Sequence, residues 1–199
     1  MNQEQLNEIL KKHEMWLNKQ EGGEKADLTK ANLYNAKLWR AELTGADLRR
    51  AELHGADLSE AILCRALLYK ANLVEADLDR AYLYETNLSK SNLQGAKLYR
   101  ADLWMSDLSS ANLYKADLSG ADLYGANLTD ATVAKANLSG AKLTGTILIE
   151  ANLENANLKG ADLCRANLKG TNLNEATYDS KTEFPEGFNP EQHGMRKVD

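Results

Sequence analysis

Three histidines and two cysteines are the residues best suited to metal or nucleophile chemistry, and their spacing serves neither. A metal site needs closely spaced His and Cys pairs, and a nucleophile needs an adjacent base. His13, His54 and His193 are scattered, and Cys64 and Cys164 lie 100 residues apart. No phosphate-cradling glycine loop, metal-spaced Cys/His cluster or nucleophile elbow is present. Asp or Asn precedes a central large residue at 20 positions of a regular pattern, and such a ladder could in principle bind cations. The glycine-rich nonapeptide of calcium-binding β-helices is missing, so local hydrogen bonding outside the backbone is preferred. No enzyme activity, cofactor or metal is expected. What remains is the chemistry of contact, carried by outward aromatic and basic side chains.

A five-residue repeat positions those side chains. From Ala26 to Ala176 a small residue recurs every fifth place, with a large residue two places on, for 31 units. The small residue is Ala in 26 units and Ser or Thr in five (Thr86, Ser91, Ser106, Thr146, Thr171). The large residue is Leu in 29, with Val133 and Tyr178 the exceptions. On a helix this period would spread the leucines around the axis. On a strand Ala26 and Leu28 point the same way, but an odd period sends the next pair to the opposite face. One turn per unit restores a single interior. Nine of the 13 glycines occupy the last place of the unit, where access to positive φ is useful. Thr86, Ser106 and Thr146 are separated by multiples of 20, and Tyr84, Trp104 and Tyr124 step by 20. Four units per coil of a solenoid is the simplest explanation.

The motif A-[DN]-L-x-x, as in Ala71-Asn72-Leu73-Val74-Glu75, resembles the pentapeptide-repeat family, cyanobacterial type, over residues 26–178. The resemblance implies an all-β solenoid, a right-handed quadrilateral β-helix with the small residue and the leucine inside. Nearly eight coils at roughly 4.8 Å would make a rod about 36 Å long. Some members of that family mimic DNA, bind type II topoisomerases such as gyrase and confer quinolone resistance, which supplies an alternative function. This chain departs from that subgroup: its central position is almost pure Leu, its array has no interrupting loop, and no C-terminal helix is evident. Ice binding would need a threonine lattice, and the outward columns are too mixed for one.

Both ends carry expected covers. Residues 1–25 hold an amphipathic helix over 3–19, with Leu6, Ile9, Leu10, His13, Trp16 and Leu17 at helical spacing. Asn2 and Gln5 resemble a capping box. The helix should cap the first coil, the preferred reading over a partner-binding helix, with His13 as a hydrogen-bonded packing residue. Residues 26–178 form the array. Residues 179–199 supply a capping loop, Phe184-Pro185-Glu186-Gly187-Phe188-Asn189-Pro190, and a tail mobile from about His193. Similar tails follow many cyanobacterial-type arrays.

Net charge is −5. Residues 26–100 carry 11 basic and 10 acidic side chains, a net of +1, and residues 101–176 carry 6 and 9, a net of −3. This is not a nucleic-acid footprint, and no direct nucleic-acid binding is expected. No apolar run suits a signal peptide or a membrane span, so a cytoplasmic protein without membrane contact is expected. Cys64 and Cys164, five coils or roughly 24 Å apart, cannot form a disulfide. As outward residues they are either reactive thiols or, the preferred reading, small surface residues without a role.

With four units per coil, Ile62, Tyr82, Tyr84, Trp104, Met105 and Tyr124 gather outside the rod, extended by Leu67 and Tyr69. They form the candidate protein-binding patch, with plain strand stacking as the other reading. Lys30, Arg50, Lys70 and Lys90 form a basic column, continued by Ser110, Asp130 and Glu150. It faces an acidic partner or only solvent. The expected function is a non-enzymatic scaffold, a rigid rod presenting columns to a protein partner, itself a monomer or weak homodimer.

Overall fold

The computed structural model describes residues 1–198; Asp199, the end of the expected tail, lies outside the described residues. One unit, Ser106–Ser110, shows why the repeat folds as it does. The Ser106 amide donates to Leu103 O at 3.0 Å and closes a turn, while Asp107 N reaches back one coil to Thr86 O at 2.9 Å. Leu108 N and Ser110 N reach forward one coil to Asn127 O and Thr129 O at 2.7 and 2.8 Å. The fifth donor, Ser109 N, bonds the Asp107 carboxylate at 3.0 Å. All five amides are satisfied, as buried backbone requires. The Asx position therefore serves the local bond that the sequence suggests.

Repetition gives parallel pairing at a step of 20 residues, from Asp27 with Asp47 to Asn157 with Thr177. Four five-residue units thus make one coil, and the coil has four sides. We number the sides by their first units, which begin at Ala26, Ala31, Ala36 and Ala41. Each rung is a single pairing between turns, too short for a conventional strand. The inward Ala and Leu ladders form one core, with Ala101 and Leu103 fully buried. Parallel strands joined by crossovers wind right-handed.

The fifth residue of the unit lies in the left-handed region whether or not it is glycine: Arg50 has φ 60° and Met105 56°. A non-glycine there costs roughly 1 kcal/mol, offset by the amide bond it makes to the next coil. At Gly125 the missing Cβ has a second use, since a Cβ there would lie 2.6 Å from the Met105 sulfur.

Helix α1 (Gln3–Leu17) covers the first coil, with both halves of the Asn2–Gln5 capping box formed. Leu6 and His13 are buried in it. Ala26 N donates to His13 Nδ1 at 3.0 Å, which places the ring proton on Nε2, a buried atom without a partner. Burial holds the His13 pKa below the ordinary value, opposed by Glu42 and the Thr44 backbone. The Gln3 side-chain amide both donates to and accepts from the Lys37 backbone at 3.4 Å, standing in for a rung.

At the far end the register slips. Asp162 pairs with Glu183, a step of 21, and strand β1 (Thr177–Tyr178) pairs in parallel with β2 (Arg196–Lys197), a step of 19 at both residues. Thr182 takes the small-residue place and donates to Leu158 O at 3.0 Å. Phe184 packs edge-on to Tyr178 at 5.5 Å and stacks on Phe188 at 5.2 Å. The segment from His193, expected to be mobile, is instead paired: Met195 is buried, and Arg196 N and Val198 N donate to Ala176 O and Tyr178 O at 2.8 Å. The physical reason is the last coil's open edge, whose unpaired backbone groups hold an extended chain. Among the described residues no helix is long and apolar enough to cross a membrane.

Candidate interaction surface

The fourth side carries the aromatic column. Its strands bridge Ile62 to Tyr82 and Tyr82 to Asp102. Two places along each strand, Tyr84 stacks on Trp104 at 4.9 Å, and Trp104 on Tyr124 at 6.1 Å. The 20-residue step thus becomes a continuous ring stack. Trp104 remains 37% exposed, Tyr124 46%, Met105 50% and Tyr82 52%. Ile62 and Tyr84 are half-buried. All six residues expected in the patch lie on this side or at its corner. Leu67 and Tyr69 belong to the adjoining first side.

The stack has a chemical orientation. Because the rings lie against one another, with interplanar angles of 12° and 25°, most ring faces are occupied and the edges point outward. The free face of Tyr84 is covered by the Arg65 guanidinium at 5.7 Å. Arg65 is held by Glu85 at 2.7 Å, and Glu85 also accepts the Tyr84 hydroxyl proton at 2.7 Å. A sugar or base needs a free ring face to stack on; an apolar ridge of ring edges suits packing against another protein surface. The Arg65–Glu85–Tyr84 cluster was missed in the sequence, although opposite charges 20 residues apart were its signal.

The basic column lies on the first side. Lys30, Arg50, Lys70 and Lys90 stack at the corner in successive coils, each with φ between 57° and 60°. Thr29, Lys30, Arg49, Arg50 and Tyr69 line a shallow depression there. Arg49 is neutralised by Asp47 at 2.5 Å, and Lys70 lies 5.3 Å from the Tyr69 ring centre.

The two cysteines are free. Neither has the electropositive surroundings of a reactive thiol. Burial raises the Cys64 pKa. Asp162 and Glu183, both hydrogen-bonded to it, push Cys164 up to about 11. The three groups bring potential ligand atoms within 4.8 Å of one another, but the thiol proton already bridges to Glu183 at 3.4 Å. Both shifts lower the share of thiolate at these two side chains.

Residues 26–63, 66–104, 106–145 and 146–177 match the pentapeptide repeats family, in eight copies. Among solved structures, a pentapeptide repeat protein of the Arabidopsis thaliana thylakoid lumen is 36% identical over 47% of this chain and 66% of its own, with a TM-score of 0.46. HetL, a pentapeptide repeat protein involved in heterocyst differentiation regulation in the cyanobacterium Nostoc sp. strain PCC 7120, is 33% identical over 92% of this chain and 89% of its own, TM-score 0.38. QnrB1, a plasmid-mediated fluoroquinolone resistance protein, is 16% identical over 88% of this chain and 93% of its own, TM-score 0.44. No curated protein matches the chain.

Proposed function

The chain belongs to the pentapeptide repeat family, and from that premise we propose that it is a non-enzymatic scaffold whose fourth side docks a protein partner. One observation carries the reading: Tyr84, Trp104 and Tyr124 form an exposed stack beside Tyr82 and Met105 on a rod whose core is already filled. Strand stacking accounts for the ring contacts, yet it does not require Tyr82 and Met105 to stand half exposed around them. Large aromatic and Met side chains in one patch are what binding hot spots are made of.

The alternative, topoisomerase binding by DNA mimicry, is disfavoured by the column of Lys30, Arg50, Lys70 and Lys90, since a DNA mimic presents acidic rows. The test is a photo-crosslinker at Tyr82 to identify the partner, followed by the double variant Trp104→Ala and Tyr84→Ala. The variant should lose that partner by a factor of about 30 or more, as expected for removal of 2 kcal/mol or more at an interface centre. Its circular dichroism spectrum should stay unchanged. Undiminished capture by the folded variant would overturn the assignment, and inhibition of gyrase supercoiling would favour the alternative.

A further inference from the structure

The second place of the unit is Asp or Asn in 20 of 31 units and apolar in only four: Ile62, Leu67, Tyr82 and Ile147. Each apolar choice gives up the local amide bond that Asx supplies. Ile62 and Tyr82 belong to the aromatic side. Leu67 and Ile147 lie on the first side, four coils apart, and each has a second large residue two places on, Tyr69 and Ile149. Ile147 is 37% exposed.

The corner column of that same side reads Lys30, Arg50, Lys70, Lys90, Ser110, Asp130, Glu150. Its sign reverses at Ser110. Elsewhere charges 20 residues apart neutralise each other within the chain, as in Arg40–Glu60 and Arg65–Glu85 at 2.7 Å, Lys142–Asp122 at 3.1 Å and Lys97–Asp77 at 3.3 Å. In this column they do not. Among the described residues Lys30, Arg50, Lys90, Asp130 and Glu150 make no ion pair, although all five are exposed.

We propose that the first side is the interface of an antiparallel homodimer whose two-fold axis crosses the coil at Ser106–Ser110. Two flat sides can meet about a two-fold along the rod, which reverses the strand direction and sets the corner column against the opposite edge of the side, where its charges meet no opposite charges of their own column. They can also meet about a two-fold across it, which reverses one rod. The second operation brings Lys90 to Asp130 and Lys70 to Glu150 of the other copy. It also brings Leu67 to Ile147 and Tyr69 to Ile149. A single axis satisfies all four pairings, because each pair is centred on the same unit: 90 and 130 on 110, 67 and 147 on 107, 69 and 149 on 109. The residues between them are short and polar, Asn87, Ser89, Ser109, Asn127 and Thr129, so the side is flat enough to close.

Two like-charge approaches oppose the contact. Asp107 meets its own symmetry mate, and Arg49 meets Lys169, with Arg49 already neutralised by Asp47. The apolar pairs span four coil steps, about 19 Å. That places the contact among small, weak interfaces, whose exposed ion pairs make it salt-sensitive.

Sedimentation velocity over a concentration series reads the result. The wild type should dimerise at low ionic strength and dissociate in high salt. Lys90→Glu and Asp130→Lys should each weaken the dimer by about tenfold. The two together should restore it, because the pair re-forms across the axis with its signs exchanged. Asp107→Asn should tighten it. A wild type that stays monomeric at low salt, a K90E variant as dimeric as the wild type, or a folded double variant that fails to recover would each overturn the proposal. The Trp104→Ala, Tyr84→Ala variant should dimerise normally; loss of the dimer there would move it to the fourth side.

Discussion

At the scale of single residues, Cys64 and Cys164 occupy one position of the coil, five turns apart, and differ by what stands across from them. Cys64 Sγ lies 3.8 Å from the Tyr82 carbonyl, with no carboxylate hydrogen-bonded to it among the described residues. Cys164 meets two carboxylates, which drive its pKa up to about 11. At pH 8 such a thiol is roughly 0.1% thiolate, and only the thiolate is nucleophilic. Iodoacetamide should therefore label Cys164 slowly, with a rate that climbs as pH rises toward 11. Replacing Glu183→Gln removes one of the two charges, lowers the pKa and should speed labelling at pH 8 several-fold. Equal rates in variant and wild type, measured by mass spectrometry, would show that Glu183 does not hold the proton. The sequence placed Cys164 on the surface but gave no sign of Glu183. The 20-residue rule points to position 182, and one extra residue in the final coil carries the carboxylate into place.

At the scale of elements, the pH dependence of the α1 cap rests on His13. Its folded pKa is depressed from 6.5, chiefly by burial, so the folded state prefers the neutral ring. The unfolded chain binds the proton first as pH falls. The cap's contribution is therefore complete above about pH 6.5 and is lost as pH drops through the lowered folded value. The melting temperature of the wild type should fall between pH 7 and pH 5. That of His13→Asn, which keeps an acceptor but no titrating group, should be flatter over this window. Parallel curves would remove His13 from the explanation. Deleting residues 1–22 goes further and uncovers Leu28, Leu33, Leu38 and Leu43, so light scattering should show end-to-end association. A truncated protein that stays monomeric and equally stable would make α1 a docking element instead of a cap. The helix was legible in the sequence because amphipathic spacing and a capping box are local signals, though it closes at Leu17, two residues early. The paired tail was not legible. Arg196 and Lys197 carry no periodic pattern, and their place is set by an open edge that exists only once the array has folded.

At the scale of the whole molecule, the rod is a one-dimensional stack in which each coil is held by its neighbours, so the cost of a core substitution depends on where it falls. Leu103 lies in a middle coil and is fully buried. Leu103→Asp puts an unpaired charge between coils, costs well over about 4 kcal/mol and should abolish the cooperative melting transition seen by circular dichroism. A retained native transition would mean that the residue does not face inward. The array, its four sides and its core could be read from the chain because every unit obeys one pattern. The proposed pairing of the first side with a second copy is less legible, since it rests on a symmetry between distant units that no single unit shows. The coil register has one more implication. With five residues to a side and 20 to a turn, the unit is a step of angle as well as of length. Losing 20 residues shortens the rod by about 4.8 Å and leaves every column aligned. Losing five between Tyr84 and Trp104 leaves the interior intact but swings everything downstream through a right angle. Trp104 and Tyr124 would then look out at ninety degrees to Tyr84, so duplication or loss of a single unit re-aims half of the molecule without unfolding it.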